Sequence, residues 1–357
     1  MTRSNNFDAL RLLGAAMVLV GHAYHLTGRP YQVPGLLGYP ISTFGVVIFF
    51  SISGYLITRS WDSKRDLVSY STARLLRIIP ALAVTVLLST FVIGPLVTTY
   101  RTGRYFADPL TWTYLSNIWM KANYSLPGVW FDLPYPGAVN GSLWTLPAEF
   151  FCYVVVPVVC VRALWLRSGV LLALLACSIS LSLVAPLDSP VVYGTRISDA
   201  AGMWVFFAAG ALLATAESRW RDIFRADVAT AVFFVFLLML SLRPGWLPYF
   251  GCLTLPYVVL VVGRSSTAFV RRASRFGDFS YGAYLWGFPV QQLVVDLFGV
   301  QRMAVNLPLV FVITGVLAVA SWHLVEHPSL RLKSAIARRR RAAGMTRSVP
   351  EPDTVAS

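Results

Sequence analysis

Long apolar stretches separated by short polar segments make up most of this chain. A helix needs about 20 mostly apolar residues to cross roughly 30 Å of hydrocarbon. Stretches near that length predict membrane-spanning helices over residues 7–27, 41–59, 78–100, 144–166, 168–186, 200–216, 226–242, 246–263, 279–299 and 305–326. The pattern therefore predicts an all-α, polytopic membrane helix bundle with about ten transmembrane helices.

The same pattern predicts one domain followed by a tail. No repeat of fixed period divides the chain, so residues 1–332 are expected to form a single transmembrane domain. Residues 333–357 are rich in Arg and end in a polar stretch, a composition that cannot bury a core. We expect a basic, disordered cytoplasmic tail there. The overall composition, 56% hydrophobic and 13% charged, fits a membrane protein rather than a soluble one.

Charge distribution sets the predicted orientation. The net charge is +14, and most of the 30 Lys and Arg residues lie on the inner side if the N-terminus is cytoplasmic. Cytoplasmic loops of membrane proteins carry this excess, so we expect both termini in the cytoplasm and the protein in the cytoplasmic (inner) membrane. The basic run 338–341 is expected to contact anionic lipid headgroups. Membrane lipid is therefore a predicted partner, and nucleic acid is not.

The first apolar segment contains three ionisable residues on one helical face. Asp8, Arg11 and His22 are separated by offsets that place them on the same side of a helix. Such groups cost several kcal/mol in the bilayer unless they are paired or face a polar cavity, so they indicate a functional site. His22 is a candidate general base near pH 7. The alternative is a His that only satisfies hydrogen bonds in the core.

A carboxylate in the fourth predicted span offers a partner for this histidine. Glu149 lies about five residues into a span that enters from outside, a depth similar to that of His22. The two side chains are predicted to pair, which would hold the imidazole tautomer and stabilise its protonated form. Both are therefore predicted catalytic residues.

Further polar positions point to a donor site and to structural ion pairs. Arg74 and Arg77 lie one turn apart at the predicted cytoplasmic mouth of the third span and can clamp phosphate, although positive-inside topology also supplies such arginines. Glu326 is predicted to form an ion pair with Arg11. Asp8 and Glu326 are expected to be structural.

Small residues and aromatic residues each leave two interpretations open. Ser51, Ser53 and Gly54 in the second span permit either close helix approach or room for a thin ligand arm. The outer connection 101–143 is either an ordinary interfacial aromatic belt or a platform for a sugar. Its aromatic residues include Trp112, Tyr114, Trp119, Tyr124, Trp130, Phe131 and Tyr135. The four Cys residues are not spaced as metal ligands, and no metal is predicted.

Six ordered motifs give the chain a close resemblance to a known family. They are FDALRLLGAAMVLVGH, FGVVIFFSISGYLI, RLLRIIP, SLWTLPAEFFCY, FGDFSYGAYLWGFPV and LVEHP, and they extend from residue 7 to about residue 332. This set resembles the acyltransferase 3 family of ten-span membrane O-acyltransferases. The resemblance implies transfer of an acyl group, usually acetyl, from cytoplasmic acyl-CoA to a hydroxyl of a glycan, lipid-linked sugar or glycoside.

The resemblance also implies roles for particular residues. His22 would be the catalytic His of the first span, with Glu149 and Glu326 at the acidic positions of their motifs. The residues predicted to bind the acyl-CoA donor are Arg74, Arg77, Arg11 and Ser53. Gly287 stands where the family usually has a second His. The competing hypothesis is a transporter that moves an acyl group or lipid-linked saccharide without chemistry. Its expected paired broken helices are not visible in the sequence.

Overall fold

The computed structural model describes residues 5–36, 38–184, 189–220, 222–243, 247–267, 275 and 277–332. Ten long helices account for most of these residues. They are Phe7–Leu26 (α1), Ile41–Lys64 (α2), Leu67–Leu88 (α3), Thr145–Val159 (α4), Leu164–Val184 (α5), Ile197–Arg219 (α6), Ala226–Leu242 (α7), Leu247–Arg264 (α8), Ser280–Phe298 (α9) and Met303–Ser321 (α10). We refer to the end of the bundle at Leu26 and Ile41 as the outer end and to that at Phe7 and Glu326 as the inner end.

Shorter elements extend or connect these helices. A π-helical turn over Ser89–Ile93 and a helical turn over Gly94–Val97 continue α3, and a second π-helical turn over Trp322–Glu326 continues α10. A 3₁₀ turn over Gly141–Trp144 precedes α4. Short helical segments cover Pro30–Gln32, Thr102–Ala107, Pro109–Thr113 and Tyr114–Trp119, and the strands Gly35–Leu36 with Tyr39–Pro40 and Val191–Val192 with Thr195–Arg196 form two small hairpins.

The prediction of an all-α, polytopic membrane protein is confirmed. Seven segments of the described chain, α1 to α6 and α10 with their extensions, are long and apolar enough to cross a membrane, and α7 and α8 are shorter apolar helices. The count of ten spans and the cytoplasmic placement of both termini stay predictions. The predicted tail, residues 333–357 with the basic run 338–341, lies outside the described residues.

Helix α3 begins eleven residues before its predicted start at residue 78. The Asp66 side chain accepts a hydrogen bond from the Ser69 backbone N–H at 3.1 Å, which satisfies a free donor in the first turn. The helix can therefore begin at Leu67. Arg74 and Arg77 consequently lie about two and nearly three turns inside α3, which brings their side chains into the bundle.

Glycine contacts hold α2 against its neighbours α1 and α6. A Cβ atom on Gly45 would lie 2.5 Å from the carbonyl oxygen of Gly14 in α1. On the opposite side, a Cβ on Gly54 would lie 2.1 Å from the Phe207 carbonyl oxygen in α6. The absence of side chains at these positions lets the backbones touch, as is common in membrane helix pairs. Close helix approach is thus one correct interpretation of the small residues in the second span.

The connection before α4 enters the bundle along α9. The buried Gln292 amide donates to the carbonyl oxygens of Tyr135 and Ala138 at 2.8 and 2.9 Å. The buried Asn140 amide donates to the Leu285 carbonyl oxygen at 2.9 Å, seven residues and therefore about 10 Å deeper along α9. The chain has thus already descended into the bundle when α4 begins.

Candidate active site

Five charged side chains from four parts of the chain form a continuous series of ion pairs at the inner end. In α1, Arg11 contacts Asp8 at 3.1 Å and reaches Asp278 at 3.6 Å. Asp278, just before α9, also binds Arg77 of α3 at 2.6 Å. Arg77 then contacts Glu326, in the π-helical turn after α10, at 3.4 Å. This arrangement ties the inner ends of α1, α9 and α10 to α3.

The predicted pair between Arg11 and Glu326 is wrong. Glu326 pairs with Arg77 instead and accepts a hydrogen bond from Ser321 at 3.0 Å, while Arg11 pairs with Asp8 and Asp278. The reason is the early start of α3, which places Arg77 inside the bundle, within reach of both carboxylates. The structural assignment of Asp8 and Glu326 fits their place in the ion pairs.

Sequence reasoning missed Asp278, although it is the only carboxylate in the motif FGDFSYGAYLWGFPV. Burial alone would raise its pKa, but the nearby Arg77 and Arg11 outweigh this effect and hold the pKa at about 2. The Ser280 hydroxyl also donates to it at 2.6 Å. Asp278 is therefore ionised at neutral pH and balances two arginines at once.

Arg74 differs from Arg77 in its charged surroundings. Among the described residues it makes no ion pair, and its Nε atom is buried without a hydrogen-bond partner. Its side chain lines a cavity of about 110 Å³ between α2, α3, α4 and α9. Charged and polar groups on the cavity wall are Arg11, Arg74, Arg77, Glu149, Ser53, Thr145, Tyr153, Ser280, Tyr281 and Tyr284. Arg11 and Arg77 already have carboxylate partners, so Arg74 is the guanidinium on this wall that is left to bind an anion.

Glu149 lies in this cavity and is held by two hydroxyl groups. Ser53 of α2 donates to its Oε1 atom at 2.7 Å, and Tyr153, one turn later in α4, donates to the same oxygen. The cavity thus brings together Glu149 with all four residues predicted to bind the donor. Ser53 lining this space also agrees with the second interpretation of the small residues in α2, room for a thin ligand.

His22 lies outside the cavity, near the outer end. Its Nδ1 atom is 3.5 Å from the Ser142 hydroxyl, and its ring meets the Phe288 ring edge-on at 5.3 Å. Asn140 accepts a hydrogen bond from the Ser142 backbone N–H at 3.1 Å and so fixes this turn beside the imidazole. The neighbouring His25 instead contacts the Gly21 carbonyl oxygen of its own helix at 2.9 Å.

The predicted direct contact between His22 and Glu149 is not formed. No hydrogen bond or ion pair joins them in the described part of the chain, because the connection before α4 descends along α9 first. Ser142 is already at the depth of His22, and Glu149 lies seven residues, or about 10 Å, further in. A contact through water stays a prediction.

Tyr284 connects the cavity with the surroundings of His22. Its ring lines the cavity, and its hydroxyl donates to the Ser142 carbonyl oxygen at 2.9 Å and is hydrogen-bonded to the Thr145 hydroxyl. One layer of side chains therefore separates the cavity from the imidazole. At position 287 an added Cβ would face Leu19 of α1 at 3.5 Å, so a side chain there would point toward the helix that carries His22.

No group of three or more His, Cys, Asp or Glu side chains that could hold a metal is present within the described residues. The chemistry available here is that of an imidazole, a set of arginines and a carboxylate held by hydroxyls. His22 can accept a proton, and the arginine-lined cavity can bind an anionic molecule.

Comparisons with known proteins agree with the motif-based resemblance. A family model described as an acyltransferase domain matches residues 4–326. An O-acetyl transferase of Shigella phage Sf6 is 30% identical over 334 residues, which cover 91% of this chain and 96% of the relative. Nodulation protein 10 of Rhizobium leguminosarum bv. viciae is 28% identical over 365 residues, covering 94% and 96%. No solved structure matches the chain. The family match includes the cavity and His22, and the chain thus belongs to the acyltransferase 3 family of membrane O-acyltransferases.

Proposed function

We propose that the protein transfers an acetyl group from cytoplasmic acetyl-CoA to a hydroxyl of a glycan, lipid-linked sugar or glycoside, within the cytoplasmic membrane. The observation that carries this proposal is Arg74, a cationic group that has no ion-pair partner among the described residues and lies on the wall of an arginine-lined cavity. The phage relative named O-acetyl transferase supports the acetyl group, since it aligns over nearly the whole chain.

The donor is expected to bind with its phosphates at the arginines and its pantetheine arm in the cavity. Arg74 is free to bind phosphate, whereas Arg77 and Arg11 already have carboxylate partners. Phosphate binding by a guanidinium involves charge-assisted hydrogen bonds, which are the stronger class. The cavity of about 110 Å³ fits a thin chain better than a nucleotide.

Glu149 is expected to position the donor arm. Both hydroxyls that hold it donate to Oε1, which leaves Oε2 to accept a hydrogen bond from an amide N–H of the pantetheine arm. A ligand that combines phosphate with amide donors would satisfy Arg74 and Glu149 together. This combination favours phosphopantetheine over a simple anion.

His22 is proposed to act as the general base. In the proposed tautomer, Nδ1 carries the proton and donates to the Ser142 hydroxyl, which leaves Nε2 unprotonated and able to accept a proton. The acceptor oxygen forms a bond to the thioester carbonyl carbon while the carbon–sulfur bond breaks. The proton passes from the hydroxyl to His22 and then to the departing thiolate. For the arm to reach His22, the contact between Thr145 and Tyr284 has to open.

The test uses purified protein in lipid nanodiscs with radiolabelled acetyl-CoA and a panel of oligosaccharide glycosides. Wild-type protein should form labelled ester, and His22→Ala should lose at least about 10²-fold in rate, as is typical when a general base is removed. His25→Ala is the matched control and should stay active. Normal ester formation by a well-folded His22→Ala protein would exclude His22 as the general base. A wild type that esterifies no glycoside, but carries label across a vesicle membrane, would support the transporter instead.

A further inference from the structure

A turn at the outer end of the bundle presents two exposed aromatic rings. The turn over residues 130–137 is closed by a hydrogen bond from the Gly137 backbone N–H to the Trp130 carbonyl oxygen at 2.9 Å. Trp130 is buried in the core with 4% exposure, whereas Phe131 and Tyr135 are 52% and 40% exposed. The turn therefore packs the Trp130 ring into the core and leaves the rings of Phe131 and Tyr135 exposed.

Tyr135 is held at a fixed place on α9. The buried Gln292 amide of that helix donates a hydrogen bond to the Tyr135 carbonyl oxygen. A buried amide without partners is costly, so the two hydrogen bonds that Gln292 makes here resist displacement of the turn. The backbone of Tyr135 is thus fixed in the packed structure, although its ring is exposed.

A line of aromatic contacts leads from Tyr135 to His22. The Tyr135 ring meets the Phe288 ring edge-on with centroids 5.9 Å apart, and Phe288 meets His22 in the same manner at 5.3 Å. Phe288 cannot retreat easily, because a Cβ on Gly141 would already lie 2.5 Å from its ring. One buried ring therefore separates an exposed tyrosine from the half-buried imidazole.

We propose that the Tyr135 ring is the surface on which a pyranose ring of the acceptor packs, with one sugar hydroxyl directed past Phe288 to His22. This inference rests on the proposed function. A tyrosine ring is amphipathic and offers a broad apolar face at little entropic cost, which matches the C–H face of a pyranose. Phe131, whose ring is the second exposed one in the turn, extends the surface for a neighbouring sugar.

A sugar explains the location better than a lipid acyl chain does. The occupant of this surface has to present a hydroxyl beside the proposed general base, and an acyl chain has none. The descent of residues 135–142 along α9 also leads from Tyr135 toward the depth of His22. Tyr135 therefore belongs to the acceptor side, whereas Arg74 belongs to the donor side.

The experiment measures KM separately for acceptor and donor in the acetyl-transfer reaction, with the best glycoside of the panel as acceptor. Tyr135→Ala should raise the acceptor KM about tenfold and leave the acetyl-CoA KM unchanged, because only the sugar contact is lost. Tyr135→Phe keeps the ring, and its acceptor KM should stay within about twofold of the wild-type value. Trp119→Ala is the matched control, since Trp119 is 76% exposed in the same outer segment.

An unchanged acceptor KM in Tyr135→Ala, with wild type active, would overturn this inference and leave the proposed function standing. Equal rises of the acceptor KM in Tyr135→Ala and Trp119→Ala would also overturn it, since they would indicate a general effect of changes in the outer segment. A parallel rise in the acetyl-CoA KM would show a disturbed active site rather than a lost sugar contact. If wild type esterifies no glycoside, the proposed function fails and the inference fails with it.

Discussion

Arg74 and Arg77 lie one turn apart on α3, yet we expect replacement of one to weaken mainly acetyl-CoA binding and replacement of the other to lower mainly the stability. Arg77→Ala should destabilise the protein, because it removes the cation between Asp278 and Glu326. Arg74→Ala should weaken acetyl-CoA binding with little loss of stability, because Arg74 has no ion-pair partner in the described structure.

The magnitudes follow from burial and from the number of partners. Glu326 is 1% exposed at its side chain, and breaking a buried ion pair by removing one partner costs about 3–5 kcal/mol. For Arg74, the loss of one or two hydrogen bonds to phosphate is worth about 1.5–3 kcal/mol. That energy corresponds to roughly 10- to 150-fold weaker acetyl-CoA binding.

The assay combines two measurements on each variant in the same detergent. The apparent melting temperature is taken without ligand, and the Kd for acetyl-CoA is taken by equilibrium binding at a temperature where both variants are folded. Arg74→Lys and Arg77→Lys complete the set, because Lys keeps the charge but loses the planar fork that binds carboxylate and phosphate.

Two results would refute this reasoning. Wild-type stability of Arg77→Ala would mean that the ion pairs at the inner end contribute nothing measurable. Wild-type acetyl-CoA affinity of Arg74→Ala would return Arg74 to a purely topological role as an inner positive charge.

Two more substitutions test other contacts. Asp278→Asn should cost about 2 kcal/mol, since its pKa is held at about 2 against an ordinary value of 3.8. A depressed pKa stabilises the folded state above pH 3.8 and loses this effect as the pH falls through 2. The melting difference from wild type should therefore be constant between roughly pH 5 and 8. Asp227→Asn, in an exposed pair with Arg225, is the control and should melt as wild type; an equal effect of both changes would contradict the prediction. Gly141→Ala should displace the Phe288 ring and slow transfer while acetyl-CoA binding stays normal, and unchanged transfer would show that the ring gives way freely.

The positions of the helices could be predicted from the sequence because long apolar runs have few alternatives in a membrane. The depth at which particular residues lie in the bundle was harder to predict. The polar residue Asp66 begins α3 well before the apolar run does, and the buried Asn140 lets the chain enter the bundle before α4 starts. Both effects arise from individual side-chain hydrogen bonds, which hydropathy does not report.

The candidate residues were found, but their partners were not. Asp8, Arg11, His22, Glu149 and Glu326 could be singled out because ionisable groups are costly in lipid. Which of them meet depends on helix offsets of one or two turns, and an error of seven residues moves a side chain about 10 Å. The predicted ion pair of Arg11 and the predicted direct contact of His22 failed for this reason, and Asp278 was not singled out because it precedes its span.

The glycine contacts of α2 have a mechanical consequence. One wall of the arginine-lined cavity belongs to a rigid unit, because the backbones of α1, α2 and α6 touch and cannot come closer. The opposite wall, α3, makes few close contacts with α2 and α9 and packs more closely against the segments Tyr114–Trp119 and Trp322–Glu326 near its two ends. Widening of the cavity on its arginine side should therefore occur by a tilt of α3. The ion pairs of Arg77 would then serve as the pivot, and the unpaired Arg74 would travel with the moving wall.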